Sequence, residues 1–505
     1  MKKKNTKTKV SLSLLSAGML LLVGCSEEGS SGNNGEDGSA IETIDIMTMS
    51  YTPEPPQNDS PVIKELEELT GKKMNMLFVP STTYGDRFNV TLASGSLPHV
   101  MLGDKSPSYI SAVRDGAFWD LTDYLDDYEN LKINDIVKEN VSIEGRIYGI
   151  PRARPLGRNA VVIRKDWLEN VGMDMPETID DFYDVLKAFT EDDPDGNGEN
   201  DTYGMAISEH EEPWNIMQTW FGAPNKWGFD DNGELIPDFT TDEYREALEW
   251  FNQIYDEGLI NEDFAIMDPT QWTNPMINEE VGIIVDVADT AGRLHKAMVD
   301  KDPELDDVLD VFGAVSGDHG LVTKPTTGYH SVFSISTTSV KSEEELKEVL
   351  AFLNDLNSEE AQNLTINGIE GVHYELENGE LNDLTVDDEK SRNEFQDLNQ
   401  IQMYLPEEKF HKPEQTDLAI RSQEVMIENE DIVLPDPAYP LVSKIYAQRG
   451  QQLDNIIGDA RIKYIIGELD DAGFEDAIDT WMSSGGEDYV KEINELYKEA
   501  QSVKE

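Results

Sequence analysis

The chain has 505 residues, and its 102 Asp and Glu against 40 Lys and Arg give a formal charge of −62. That balance excludes nucleic acid as a partner, because no basic face remains to displace counterions from phosphates, and the single cysteine excludes an internal disulfide. The length is too great for one compact core and sufficient for two.

Lys2, Lys3, Lys4, Lys7 and Lys9 open the chain, and residues 10–23 form a short apolar run. A bilayer core of about 30 Å needs roughly 20 apolar residues, so the run reads as a secretion signal rather than a span. Its end, Leu22-Val23-Gly24-Cys25, resembles the lipobox of bacterial lipoproteins, in which the cysteine is diacylated and becomes the new N-terminus. An ordinary signal with a stray cysteine is the alternative. Removing residues 1–24 discards five lysines and no acid, which takes the charge from −62 to −67. An anionic membrane surface would repel such a domain, so the lipid on Cys25 has to anchor it. Residues 25–40 are rich in Ser, Gly, Asn and Glu and read as a flexible tether. The acidic exterior itself suits salty or alkaline surroundings, with cation or cationic-substrate binding as the alternative.

Residues 41–49 alternate apolar and polar, as a half-buried first strand does. Over 61–69, Val62, Ile63, Leu66 and Leu69 fall at helical spacing, and Gly71 ends the run. Residues 74–79 read as a second strand, 84–93 as a helix and 100–102 as a third strand. This alternation predicts an α/β lobe with a mainly parallel sheet. Strand-like pieces follow at 147–151 and 160–163, then a helical region through Trp167, Leu168, Phe182, Val185, Leu186 and Phe189. After a helix ending near Gly258 comes another strand at 281–285, and the C-terminal part is mainly helical, as over 344–356 and 487–499.

The sharpest local motif is Asp193-Pro194-Asp195-Gly196-Asn197-Gly198-Glu199-Asn200-Asp201. Oxygen-bearing side chains recur at loop positions 1, 3, 5 and 9, with glycine at 6, a spacing that wraps a cation of calcium size. Glu199 would offer its backbone carbonyl, but position 12 is Gly204 instead of a bidentate glutamate, so Thr202 or a later residue has to complete the shell. An acidic surface turn is the alternative. Trp214, Trp220, Trp227 and Trp272 lie in segments broken by Gly, Pro and Asn, where flat indoles suit the apolar faces of sugar rings; Trp250, Phe251 and Tyr255 read as core. Arg152, Arg154 and Arg158 cluster in an acidic chain and suit carboxylate-bearing or hydroxyl-rich ligands, or else pair with neighbouring acids. No nucleophile elbow, phosphate loop or zinc-protease motif is present, and with so many acids no single carboxylate pair points to a glycosidase.

In their order these pieces resemble the extracellular solute-binding protein family 1, the lipoprotein receptors of ABC sugar importers. They are most similar to the branch with alginate-oligosaccharide-binding and LipO-like members. The resemblance rests on Ala93-Ser94-Gly95-Ser96-Leu97-Pro98-His99-Val100, on residues 145–151, on Arg164-Lys165-Asp166-Trp167-Leu168, on residues 178–204 and on Gly368-Ile369-Glu370-Gly371-Val372-His373-Tyr374. It implies a two-lobe periplasmic-binding-protein-like fold of type II, similar to maltose-binding protein, with ligand held between lobes. The expected division is 41–155 with 286–335 as the N-terminal lobe, and 156–285 with 336–505 as the C-terminal lobe. By the same resemblance Asp193, Asp195, Asn197, Glu199, Asp201 and Thr202 hold structural Ca2+, although Thr202 stands where the family often has an acid. Trp272 occupies a stacking position, and Tyr51, Glu370 and His373 join the candidate ligand contacts. The implied protein is a monomeric receptor, not an enzyme, that passes an oligosaccharide to an ABC permease outside the cell membrane; a peptide ligand is also open. A secreted carbohydrate-active enzyme and a calcium-dependent surface adhesin are the alternatives.

Overall fold

The computed structural model describes residues 41–377, 379–386, 388–403 and 409–504; the expected signal, Cys25 and the tether lie outside the described residues. In chain order the main strands are β1 (Thr43–Ser50), β2 (Lys73–Pro80), β3 (Val100–Gly103), β4 (Ile150–Ala153), β5 (Asn159–Arg164) and β6 (Tyr203–Met205). They continue as β7 (Trp227–Phe229), β8 (Leu235–Pro237), β9 (Val281–Val287), β10 (Leu309–Phe312) and β11 (Tyr329–Ile335).

One mixed sheet has the order β2-β1-β3-β11-β4, in which the first three strands are parallel and β11 runs antiparallel to both β3 and β4. A second has the order β10-β5-β9-β6, with β5 antiparallel to both neighbours and β6 parallel to β9. All six residues of β5 are buried, which explains its unbroken run Ala160-Val161-Val162-Ile163. Helix ends follow local chemistry. Ser60 accepts the Val62 N–H at 3.2 Å at the start of Pro61–Thr70, and Gly71 closes that helix at φ 66°.

Each sheet lies against its own apolar core, and the cores divide the chain otherwise than the sequence-based boundaries. The stretch 286–335 was expected with the first lobe, yet β10 pairs with β5, and Leu294, Met298, Leu309 and Val311 pack on the second sheet. Only β11 of that stretch joins the first sheet. The expected C-terminal lobe likewise loses its beginning. Helix Glu343–Leu356 buries Leu346, Val349, Leu350 and Leu353 in the first core, and Leu398, Ile401 and Met403 join them. The chain therefore passes from the first core to the second at 154–158, returns at 316–328, and packs on the second sheet again from Leu418.

Candidate ligand-binding cavity

The crossings leave a cavity of about 890 Å³. Arg152 at the end of β4 and Arg154, Pro155, Leu156 and Arg158 of the first crossing line it, and Gly328 comes from the return. Tyr51 projects from the end of β1, Asn399 and Gln400 come from the late part of the first core, and Gln423, Met426, Ile427 and Glu430 form one face of helix Asp417–Glu430.

The wall is built from backbone that has few alternatives. Arg154 donates its N–H to the Gly328 carbonyl at 2.9 Å and its Nη1 to the Ala153 carbonyl at 2.9 Å. Arg152 sits on β4 opposite Ser331 and is 3% exposed. Arg158 donates Nε to Asp289 Oδ2 at 2.7 Å. Asn429, fully buried, donates Nδ2 to the carbonyls of Gly157 (3.0 Å) and Asn159 (2.7 Å), fastening the crossing to the helix. A Cβ on Gly157 would stand 2.3 Å from the Met426 carbonyl oxygen, so only glycine allows that approach. Burial pushes the Glu430 carboxyl up, opposed by a backbone hydrogen bond from Leu156.

Of the residues singled out from sequence, Arg152, Arg154, Arg158 and Tyr51 meet at this cavity. The tryptophans do not. Trp220 is 0% exposed and stands edge-on to Phe182 at 5.3 Å. Trp214 packs between Phe251 and Phe264, Trp227 stands edge-on to Tyr489 at 5.2 Å, and Trp272 is buried with Met276 and Val281. Loop-rich surroundings suggested free indole faces; in the fold Trp214, Trp220 and Trp272 turn back onto the second core, and Trp227 onto a small cluster with Leu235 and Ile493. His373 is also buried, accepting the Ile369 N–H at 2.9 Å on Nδ1, with Nε2 3.3 Å from Glu394. Its neighbour Glu370 borders a separate acidic depression with Glu65 and Glu360. Neither lines the cavity.

The acidic loop is ordered by its own side chains. Asp193 accepts the Gly198 N–H at 3.1 Å, and Asn197 Nδ2 reaches Asp195 Oδ2 at 2.8 Å and Asp201 Oδ1 at 3.2 Å. Asn197 Oδ1 accepts the Glu199 N–H at 2.6 Å. Burial, then the charges of Asp201 and Asp193, push the Asp195 carboxyl up. Thr202 departs from its expected role: its buried hydroxyl donates to the Phe189 carbonyl at 2.8 Å, at the end of helix Ile179–Glu191. Among the described residues no group of three or more His, Cys, Asp or Glu is arranged to hold a metal.

Lys132, Lys412, Asn399, Gln400 and the helix face were missed by sequence reasoning. The face was legible as the i, i+3, i+4, i+7 set 423, 426, 427 and 430, whose Ile427 is 67% exposed.

Residues 52–363 match the family described as bacterial extracellular solute-binding protein. The chain is 45% identical over 487 residues to lipoprotein LipO of Bacillus subtilis (strain 168), covering 95% of this chain and 96% of the relative. It is 34% identical over 489 residues to the polygalacturonan/rhamnogalacturonan-binding protein YtcQ of the same strain, covering 95% and 96%. Among solved structures, an extracellular solute-binding protein from Bifidobacterium longum subsp. infantis superposes with a TM-score of 0.67 at 20% identity, covering 93% of this chain and 100% of that one. An EF-hand mutant of the Streptococcus pneumoniae substrate-binding protein FusA, bound to fructo-nystose, superposes with a TM-score of 0.59 at 18% identity, covering 91% and 99%.

Proposed function

The chain belongs to the bacterial extracellular solute-binding proteins, and from that premise we propose that it captures an oligosaccharide in the cavity between its two cores and delivers it to an ABC permease. Members of this family bind solutes and are not enzymes, which sets aside the secreted carbohydrate-active enzyme and leaves the adhesin without support. The observation that carries the proposal is the roughly 890 Å³ cavity at the chain crossings, where polar and apolar side chains from both cores converge. Saccharide-binding relatives give the ligand class, and bending of the crossing segments would close the cavity over it. In this reading the two cores are the two lobes, and the protein works as a monomer.

The signal and Cys25 pattern, together with the lipoprotein relative, support attachment to the outer face of the cell membrane through a lipid on that cysteine. Metabolic labelling with a fatty acid tests this; labelling that survives Cys25→Ser would overturn it.

The residue spacing of the acidic loop, rather than the arrangement of its carboxylates, supports a structural calcium ion. Asp193, Asp195, Asn197 and Asp201 supply carboxylate and amide oxygens, and Glu199 its carbonyl. If melting of the wild type is the same with calcium and with chelator, the loop holds no ion.

The receptor function itself is tested by melting the mature chain against neutral and acidic oligosaccharides. A ligand at one hundred times its Kd adds about 2.7 kcal/mol to stability. A saturable upward shift, with the sugar recovered intact, is the expected result; cleavage of the sugar, or no shift with any saccharide, would overturn the proposal.

A further inference from the structure

We infer that segment 432–442 is a latch between the two cores: it is rooted on the second, it grips the first through Tyr439 and Lys105, and that grip depends on the charge of Lys105. The inference goes beyond solute capture and holds whichever solute is bound. At its start the segment pairs with the return crossing, where Thr323 donates its N–H to the Ile432 carbonyl at 3.0 Å and Leu434 donates to the Thr323 carbonyl at 2.8 Å. Its side chains then divide. Ala438 and Leu441 pack in the small cluster of Trp227, Leu235 and Ile493, which meets the second core at Tyr489 and Val490, whereas Tyr439 and Val442 pack on the first core. The Asp436 carboxylate accepts the Ala438 N–H at 2.8 Å and closes the turn that sends these neighbours opposite ways. Helix Lys444–Ile465, which follows, buries Leu453 and Tyr464 in the second core. The segment therefore leaves the second core, touches the first and comes back, so its grip can release without moving a chain crossing.

The grip is chemically incomplete. Lys105, just past the end of β3, holds its Nζ 5.2 Å from the centroid of the Tyr439 ring. The nitrogen is buried, and among the described residues no atom accepts a hydrogen bond from it. A ring face returns only part of what an ammonium loses on leaving water. Burial accordingly lowers the Lys105 ammonium to about 7. The other titratable groups here are known from their mutual effects. The Tyr439 hydroxyl stands 3.4 Å from that of Tyr329 on β11, and Tyr109 of helix Pro107–Arg114 also acts on Tyr329. Exposed Asp104, next to Lys105 in the chain, acts on both Tyr329 and His330, and His330 feels Arg152 and Arg154 as well. Asp436, at the base of the turn, faces Asp238, Lys226 and Tyr489 instead.

The sign of the pH response follows from the two states of the amine. Released into water, Lys105 regains the ordinary lysine value of about 10.4. The open arrangement thus binds the proton more tightly than the latched one. Between about pH 7 and pH 10 each unit of rising pH favours the latch by on the order of tenfold, and below about 7 the effect levels off. The latch engages in alkaline surroundings and slackens toward neutrality.

The test is a distance measurement by pulsed electron resonance, without ligand, on the mature chain carrying Cys25→Ser. Spin labels go on Asp86→Cys, in the exposed face of a first-core helix, and on Glu246→Cys, in the exposed face of a second-core helix. Two populations are expected, and the one matching the structure should gain tenfold or more over the other from pH 7.5 to pH 9.5. Lys105→Met, uncharged and of similar length, should hold the latched distance at both pH values. Tyr439→Ala should lose it at both, with melting temperatures confirming that each variant folds. Wild-type distances that ignore pH overturn the inference, as does a pH response that persists in Lys105→Met or a Tyr439→Ala protein with wild-type distances. Solute binding is read separately, so any of these failures leaves the receptor reading standing.

Discussion

The Asp397 carboxylate accepts the backbone N–H of Tyr51 at 3.0 Å through Oδ1, across 346 residues of sequence. Its Oδ2 accepts the Thr52 N–H at 3.0 Å and also the Thr52 hydroxyl. Asp397 holds a left-handed backbone, φ 68°, that few residues other than Asn, Asp and Gly adopt readily. The end of β1, and with it the exposed Tyr51 ring at the cavity mouth, is therefore placed by a residue from the last part of the first core.

Asp397→Asn keeps the tolerated backbone but replaces one acceptor oxygen with a donor that faces a backbone N–H. The expected cost is about 1–3 kcal/mol, with weaker ligand binding as the Tyr51 segment loosens. Tyr51→Ala should weaken binding with little change in melting. Equal affinity in wild type and both variants would remove this mouth from the site.

The tryptophans give the opposite pattern. Trp220→Ala and Trp272→Ala remove buried rings and should each destabilise by about 3–5 kcal/mol in denaturant unfolding. Ligand affinity of the molecules that remain folded should not change. A Trp272→Ala protein of native stability and weakened affinity would contradict the placement of that ring.

Asn429 fastens the crossing by its two hydrogen bonds to Gly157 and Asn159. Asn429→Ala leaves two buried carbonyls without that donor, a loss of about 1–3 kcal/mol. Gly157→Ala drives a methyl group into the Met426 carbonyl and should both destabilise the protein and distort the cavity. Native melting in Gly157→Ala would show that the helix and the crossing separate easily.

Burial pushes the Asp436 carboxyl up to about 7, helped by the charge of Asp238 and opposed by the Ala438 N–H, 2.8 Å away, and by Lys226. A carboxyl raised in the fold contributes stability that is fully present below its unfolded value, near 4, and lost as pH rises through about 7. Stability should therefore fall between about pH 4 and pH 7 and level off above it. Asp436→Asn, which imitates the protonated acid, should flatten that fall by on the order of 1–2 kcal/mol, allowing for solvent relaxation. Parallel pH profiles in wild type and variant would assign the dependence elsewhere.

Where order in the sequence coincides with order in space, the fold was legible. Residues 41–103 alternate strand and helix, their caps and stops are local, and three parallel strands resulted. The arginine cluster was equally visible, because 152–158 is one short segment that lines the cavity. What could not be read depends on distant partners. β10 and β11 are short strands only 16 residues apart, yet they pair with β5 and with β3 and β4 in different sheets. No local pattern tells a strand which sheet it will join. A tryptophan near Gly and Pro looks the same whether its loop faces a ligand or folds back on a core. Helix Asp417–Glu430 carried a readable face, but what that face meets is set by a crossing 270 residues earlier.

A first core drawn from two widely separated stretches of the chain also sets the timing of its own assembly. β1 finds β2 and β3 early, but β11 inserts between β3 and β4, and Met403 packs later still. At a synthesis rate of about 5–20 residues per second, the wait between the end of β1 and Met403 is roughly 20–70 s. Until β11 is made, β3 has an unpaired edge, and Leu398, Ile401 and Met403 are missing from the first core to the end of the wait. The newborn chain is thus most exposed to aggregation at its amino-terminal third, and the strand that covers the open edge of β3 is made only after more than 200 further residues.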